Sequence, residues 1–268
     1  IAGEPADMRE IMKLANEKGI PVIEDCAQAH LAKLDGRPVG TWGAFGAFST
    51  MFGKHFCTGG QGGLVYTKDQ DMYWKVRQVA DRGKPFGLPE GSTNCIASLN
   101  CNLQEFGAAI GRVQLRKLPR FGEDRRKVAA KLAAGFADIP SVMIPKLIDG
   151  AESVYWFWRL GVNLEGLSCT KDEYVKALAA EGANVSLNYK AALPSTFDWF
   201  KNRRAFGTHG FPWTSPEYKG TMNRDFPIPN AIEVTDTQYN LYINESWTDE
   251  DIAYTLAAYK KVDEAFRA

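Results

Sequence analysis

Residues 20–24 form a short run, Ile-Pro-Val-Ile-Glu, that is nearly all apolar and rich in β-branched side chains, and a second carboxylate, Asp25, follows it directly. Such a run reads as a buried strand of a parallel or mixed sheet. Ahead of it, Met8, Ile11, Met12 and Ala15 recur at helical spacing between Pro5 and Gly19, so a helix leads into the strand. Residues 45–52 and 63–67 read as two more short strands, and residues 69–79 return to helical spacing through Met72, Val76 and Val79. Strands alternating with helices in this way imply an α/β fold.

Residues 83–104 hold glycines, prolines, Ser92, Asn94 and Asn100 without a sustained period, and read as a long loop of the kind that usually carries function. Two helical stretches follow, one through Phe106, Ile110 and Val113, the other through Val128, Leu132 and Phe136. A break is expected between them near Pro119 and Gly122, where the domain boundary is placed: residues 1–120 in a larger α/β domain, residues 121–268 in a smaller α+β domain. In the second domain, residues 154–162 read as an aromatic-rich strand, 171–180 as a helix capped by Thr170, and 183–187 as a strand. A closing helix has Thr248 as N-cap and Ile252, Leu256, Tyr259 and Phe266 on one face.

Charge narrows the partners. Thirty-two basic and 32 acidic residues leave no net field to attract nucleic acid or an anionic membrane surface, which points to a small molecule or another protein chain. The longest uncharged stretch, residues 38–53, is too short and too rich in glycine and hydroxyl groups to span a bilayer. Five cysteines without a CxxC pair and three scattered histidines suggest neither a disulfide framework nor a metal site, and a reducing cytoplasm is the simplest setting.

The glycine-dense region 40–63 invites nucleotide motifs, but Gly53-Lys54 lacks the earlier glycine of a P-loop and no GxGxxG can be read through Gly59, Gly60, Gly62 and Gly63. Asp25 at a strand's C-terminal end, Ser49 on a second strand and Lys54 just beyond it are a different set of parts. They are a carboxylate for a pyridinium nitrogen, a hydroxyl for a phosphate and a lysine able to form a Schiff base, as pyridoxal phosphate requires. On residue types alone this is one reading among several, a tight turn joining two strands being another.

The order of motifs goes further. Val22-Ile23-Glu24-Asp25-Cys26-Ala27-Gln28-Ala29-His30, Gly40-Thr41-Trp42-Gly43, Phe48-Ser49 with Lys54 five residues on, and Gly59-Gly60-Gln61-Gly62-Gly63 together resemble the DegT/StrS family of sugar aminotransferases. Leu99-Asn100-Cys101-Asn102-Leu103-Gln104-Glu105, running into Ala108-Ala109-Ile110-Gly111 and Gln114-Leu115, is similar to the same family's loop and helix. The resemblance implies part of a fold-type I pyridoxal phosphate transferase: a large domain with a mixed, mostly parallel sheet, then a smaller α+β domain, lacking the family's N-terminal portion.

It also implies roles. Lys54 matches the lysine that carries pyridoxal phosphate and shuttles a proton, and Asp25 the aspartate that keeps the pyridine nitrogen protonated. Gln28 matches a residue set against the cofactor ring, and Ser49 a phosphate ligand. Asn100 matches an asparagine that reaches the cofactor phosphate of a neighbouring subunit, so a homodimer with a shared active site is expected. Tyr189 falls where the family often has a His-Tyr pair near the substrate, with Asn188 in place of the histidine. Asn102 and Gln61 stand where arginine and an acidic residue are common, a loss of fixed charge that bears on how an anionic substrate group is recognised. The expected reaction moves an amino group from an amino-acid donor to a keto sugar, nucleotide-linked, or to a cyclitol. A sugar dehydratase of the same family, or a non-catalytic fragment or subunit needing a partner segment, are the competing readings. The aromatic run Tyr155, Trp156, Phe157 and Trp158 reads as strand core, and His30 as packing behind the site.

Overall fold

The computed structural model describes residues 1–187, 193–221 and 225–267. In chain order the elements are α1 (Met8–Lys18), β1 (Ile23–Asp25), β2 (Lys33–Leu34), β3 (Arg37–Pro38), β4 (Phe45–Ser49), β5 (Gly63–Tyr66), α2 (Gln70–Ala80), α3 (Glu105–Phe136), β6 (Val142–Met143), β7 (Ala151–Glu152), β8 (Trp158–Val162), α4 (Lys171–Ala180), β9 (Val185–Ser186), α5 (Asp198–Lys201), α6 (Pro229–Thr237), β10 (Gln238–Leu241) and α7 (Asp249–Arg267). Two compact units emerge: residues 1–138, 145–158 and 242–257 in one, residues 139–144, 159–241 and 258–268 in the other.

The first unit is built on the sheet β1-β4-β5, in which β1 and β4 run parallel and β5 is antiparallel to β4. α1 ends where Gly19, at φ +64°, closes the helix with backbone bonds to Ala15 and Asn16, the left-handed stop that glycine takes without strain. The strand that follows is shorter than its apolar run and is not buried throughout: Ile23 is exposed and Glu24 is buried. The cause is a salt-free anion site. The Glu24 carboxylate accepts backbone N–H groups from Gly40 at 2.7 Å, Trp42 at 2.6 Å and Gly43 at 2.7 Å, which satisfies the charge and outweighs the apolar-in pattern. Those bonds tie β1 to the loop that enters β4.

α3 corrects the expected break. It is one continuous helix through Pro119, and Gly111, Leu118, Gly122, Arg125, Val128, Ala129, Leu132 and Phe136 are all buried on one face. An interior proline costs about 3 kcal/mol. Burial of three or four large side chains at roughly 1.5–3 kcal/mol each exceeds that cost. Residues 83–104 contain no helix or strand, as expected of a long loop. The aromatic strand is also shorter than read, beginning only at Trp158, because residues 153–156 form a tethered turn.

The second unit holds the antiparallel sheet β6-β8-β10-β9, with a core of Tyr174, Leu178, Tyr239, Leu241 and Tyr259, each fully buried. α4 starts in a capping box: the Thr170 hydroxyl accepts from the Glu173 backbone, and Glu173 accepts from the Thr170 N–H. No helix among the described residues is long and apolar enough to cross a membrane. No group of three or more His, Cys, Asp or Glu side chains among them could hold a metal ion.

Candidate active site

The site grows from the parallel pairing of β1 and β4, which sets Asp25 opposite Ala47, two residues before Ser49. Asp25 lies at the exposed end of its strand, and its Oδ1 accepts the Ala27 N–H at 3.0 Å, a local turn that fixes the carboxylate at the sheet's C-terminal rim. Beyond β4 the Ser49 hydroxyl accepts the Met51 N–H at 3.3 Å, and the Lys54 N–H donates to the Met51 carbonyl at 2.9 Å, so the chain turns back within five residues. The Thr50 and Phe52 N–H groups then donate to the Gly62 and Gly60 carbonyls at 2.8 and 2.7 Å, and the Thr58 N–H donates to the Thr50 carbonyl at 2.9 Å, which stitches this turn to the glycine run. Gly62 is obligatory here, since a Cβ would meet the hydroxyls of buried Thr50 and Thr58 at 2.6 and 2.9 Å.

Lys54 is half-buried, with Nζ 4.9 Å from the centre of the Trp156 ring. Burial pulls its amine below the ordinary lysine value, and the Asp25 carboxylate opposes that shift. His30 and His55 lie behind it, buried, with ring centres 4.9 Å apart, and Phe48 and Phe56 pack 5.5 Å from His30. Burial holds His30 at about 4 and His55 at about 3, so both are neutral at neutral pH.

Trp156 is placed by a set of buried bonds. Its N–H donates to the Ala2 carbonyl at 2.9 Å, and Ser153 Oγ accepts the Tyr155 N–H at 3.1 Å while donating to the Gly3 carbonyl at 3.1 Å. Tyr155 takes φ +48°, a left-handed conformation costing about 1–2 kcal/mol for a side chain of this kind. Arg125, 5% exposed, donates to the carbonyls of Tyr155, Trp156 and Ile243 and pairs with Glu245 at 2.8 Å. Three carbonyls and a carboxylate compensate for the removal of that guanidinium from water.

The structure therefore brings Asp25, Ser49 and Lys54 to one end of two paired strands. Gln28 is near them in sequence, but its Oε1 accepts the Ala2 N–H at 2.7 Å, which ties the amide to this chain's own backbone. Asn100 and Asn102 pair with each other: Asn100 Oδ1 accepts the Asn102 backbone N–H at 3.2 Å and its Nδ2 at 2.9 Å. Asn102 lines a cleft of about 500 Å³ with Gly59–Gly63 and the start of α3, a lining that includes none of Asp25, Ser49 and Lys54. Tyr189 lies outside the described residues.

Sequence reasoning missed three residues here. The reading of Tyr155, Trp156, Phe157 and Trp158 as strand core holds for Trp158 alone: Phe157 is buried just ahead of β8, and Tyr155 and Trp156 are half-buried. Glu24 and Arg125 gave no local signal, because their partners are distant in the chain.

A lysine whose amine is eased toward neutrality, a carboxylate within electrostatic reach of it and a hydroxyl at the adjoining strand end are the donor set that a phosphorylated pyridine aldehyde calls for. The chain matches the model of the DegT/DnrJ/EryC1/StrS aminotransferase family over residues 1–254. It is 31% identical over 187 residues to the UDP-N-acetyl-3-dehydro-alpha-D-glucosamine 3-aminotransferase of Acidithiobacillus ferrooxidans, covering 70% of this chain and 48% of that protein. It is 32% identical over 197 residues to the GDP-4-keto-6-deoxy-D-mannose 3-dehydratase of Yersinia pseudotuberculosis, covering 68% and 49%. An aminotransferase of known structure from Psychrobacter cryohalolentis matches all of this chain and 68% of its own with a TM-score of 0.82 at 24% identity, so the mixed α/β fold is shared. The chain spans about half the length of the curated relatives it matches.

Proposed function

Because the chain belongs to the DegT/DnrJ/EryC1/StrS aminotransferase family, we propose that it forms part of a pyridoxal phosphate-dependent enzyme that transfers an amino group from an amino acid to a keto sugar, nucleotide-linked, or to a cyclitol. The observation that carries this reading is the half-buried Lys54 amine under the influence of Asp25 at the rim of a parallel strand pair.

Pyridoxal phosphate, when bound, supplies an electron-accepting ring for the charge that develops at a carbon losing its proton. Asp25 holds a proton on the ring nitrogen and so keeps that ring electron-poor. Lys54 takes the proton from the substrate carbon and returns it elsewhere, a task that needs an amine able to be neutral near physiological pH. Ser49 offers a hydroxyl to the phosphate, and Gln28, held by Ala2, stands between them in sequence as a support for the ring. Asn100 serves the phosphate of a second subunit in a homodimer, and Asn102 and Tyr189 contribute to substrate recognition. The setting is the cytoplasm.

Lysine rather than histidine at position 54 favours amino transfer over sugar dehydration; the neighbouring His55 is buried and held neutral. The test is incubation of the full-length protein with a panel of keto sugars and cyclitols, with glutamate or glutamine as donor. Formation of an amino sugar is expected. Loss of water from the sugar without net amination would replace this reading with the dehydratase one.

A further inference from the structure

The ring of Trp156 and the amine of Lys54 come from segments about a hundred residues apart in the chain, yet Nζ lies 4.9 Å from the ring centre. At that distance the negative face of an indole attracts an ammonium, and the attraction grows as water is excluded. The backbone that carries the ring is held in place. The Ala2 carbonyl accepts the Trp156 backbone N–H, the Arg125 guanidinium holds the carbonyls on either side of the Tyr155–Trp156 junction, and Tyr155 is bent into a left-handed conformation to make the turn. Gly3 lets the N-terminal segment approach, since a Cβ there would lie 2.9 Å from the Trp156 backbone nitrogen.

We propose that Trp156 is a positioning residue for Lys54: its indole face seats the Lys54 ammonium whenever that nitrogen is not bonded to the cofactor, and keeps it beside Asp25. This rests on the reading of Lys54 as the lysine that carries the cofactor. A lysine in that role would have to stay close enough to the substrate carbon to move a proton when its own nitrogen is free. A four-carbon stem without a seat would spread over many rotamers, and one with a seat is confined. The charged and titratable groups around this amine are Asp25, His30 and His55, with Arg125 6.0 Å from the same ring. Asp25 and the ring favour the ammonium, and burial opposes it.

The test reads the titration of Lys54 in the cofactor-free full chain by pulsed acetylation across pH, with peptide mass spectrometry. The midpoint of the profile reports the amine's ionisation, and its plateau reports access, so the two are separated. Trp156→Leu is expected to lower the midpoint by about half to one pH unit. Trp156→Phe, which keeps a smaller ring and protects against a folding failure in the first variant, is expected to lower it by less. A midpoint that stays put or rises in both variants overturns the proposal. Borohydride reduction of the cofactor-loaded wild type shows separately whether Lys54 is the cofactor lysine, so a failure of the functional reading is distinguishable from a failure of the seat.

Discussion

Glu24 and Asp25 are adjacent in β1 and opposite in environment: the first is 6% exposed with its carboxylate bound to three backbone N–H groups, the second stands at the exposed strand end with one oxygen on Ala27. The strand's pleat sends them to different faces, so one anion holds the loop leading into β4 while the other is left for the site.

Replacing Glu24 by Gln keeps the shape but puts an amide donor against one of the N–H groups. Hydrogen bonds to a charged acceptor are worth about 1.5–3 kcal/mol, and a buried donor facing a donor loses that and more. The expected result is a stability loss of about 2–3 kcal/mol, read as a lower urea midpoint at an unchanged slope. An unmoved midpoint would show that the three bonds do not support the fold.

Asp25→Asn addresses the other carboxylate. A neutral amide cannot hold a proton on the pyridine nitrogen, so cofactor binding should persist while turnover falls on the order of a hundredfold or more. Steady-state kinetics alongside cofactor absorbance separate the two. Unchanged turnover would remove Asp25 from the mechanism.

For Lys54 the expected outcome is covalent. Borohydride reduction of the cofactor-loaded full-length protein should place the label on the peptide containing Lys54, and Lys54→Arg should abolish it, because a guanidinium stays charged and is no nucleophile. A label on any other lysine would displace Lys54 from the centre of the site.

What could be read in advance follows from the range of the forces involved. α1, α2, α4 and α7 were legible because a cap and a 3.6-residue period are local features, and Thr170 and Thr248 announce their helices within four residues. The α3 break was misread because Pro119 is a local signal while the burial that overrides it, from Gly111 to Phe136, is tertiary. Ile23 and Glu24 reversed the expected burial for the same reason, since the three N–H groups on Glu24 come from residues 40–43. The placing of Lys54, Ser49 and Asp25 at one strand end was legible from motif order, whereas the approach of Trp156 to Lys54 was not, because it depends on the bonds of Arg125 and Ala2.

The buried histidine pair gives the fold a pH dependence whose sign can be worked out. His30 and His55 titrate near 4 and 3 in the folded chain against an ordinary value of 6.5, chiefly because burial penalises the imidazolium. Above pH 6.5 both are neutral in either state and contribute nothing pH-dependent. As pH falls below 6.5 the unfolded chain takes up protons that the folded chain refuses, so stability drops, and the drop levels off only below the folded values. His30 accounts for a loss on the order of 3 kcal/mol across that window and His55 for one on the order of 5 kcal/mol. His30→Phe, which puts an apolar ring among Phe48, Phe56 and His55, removes one of these titrations. The variant is therefore expected to lose less stability than wild type between pH 7 and pH 5, with the urea midpoint at each pH as the readout. Parallel losses in the two proteins would mean that His30 is not held neutral by the fold.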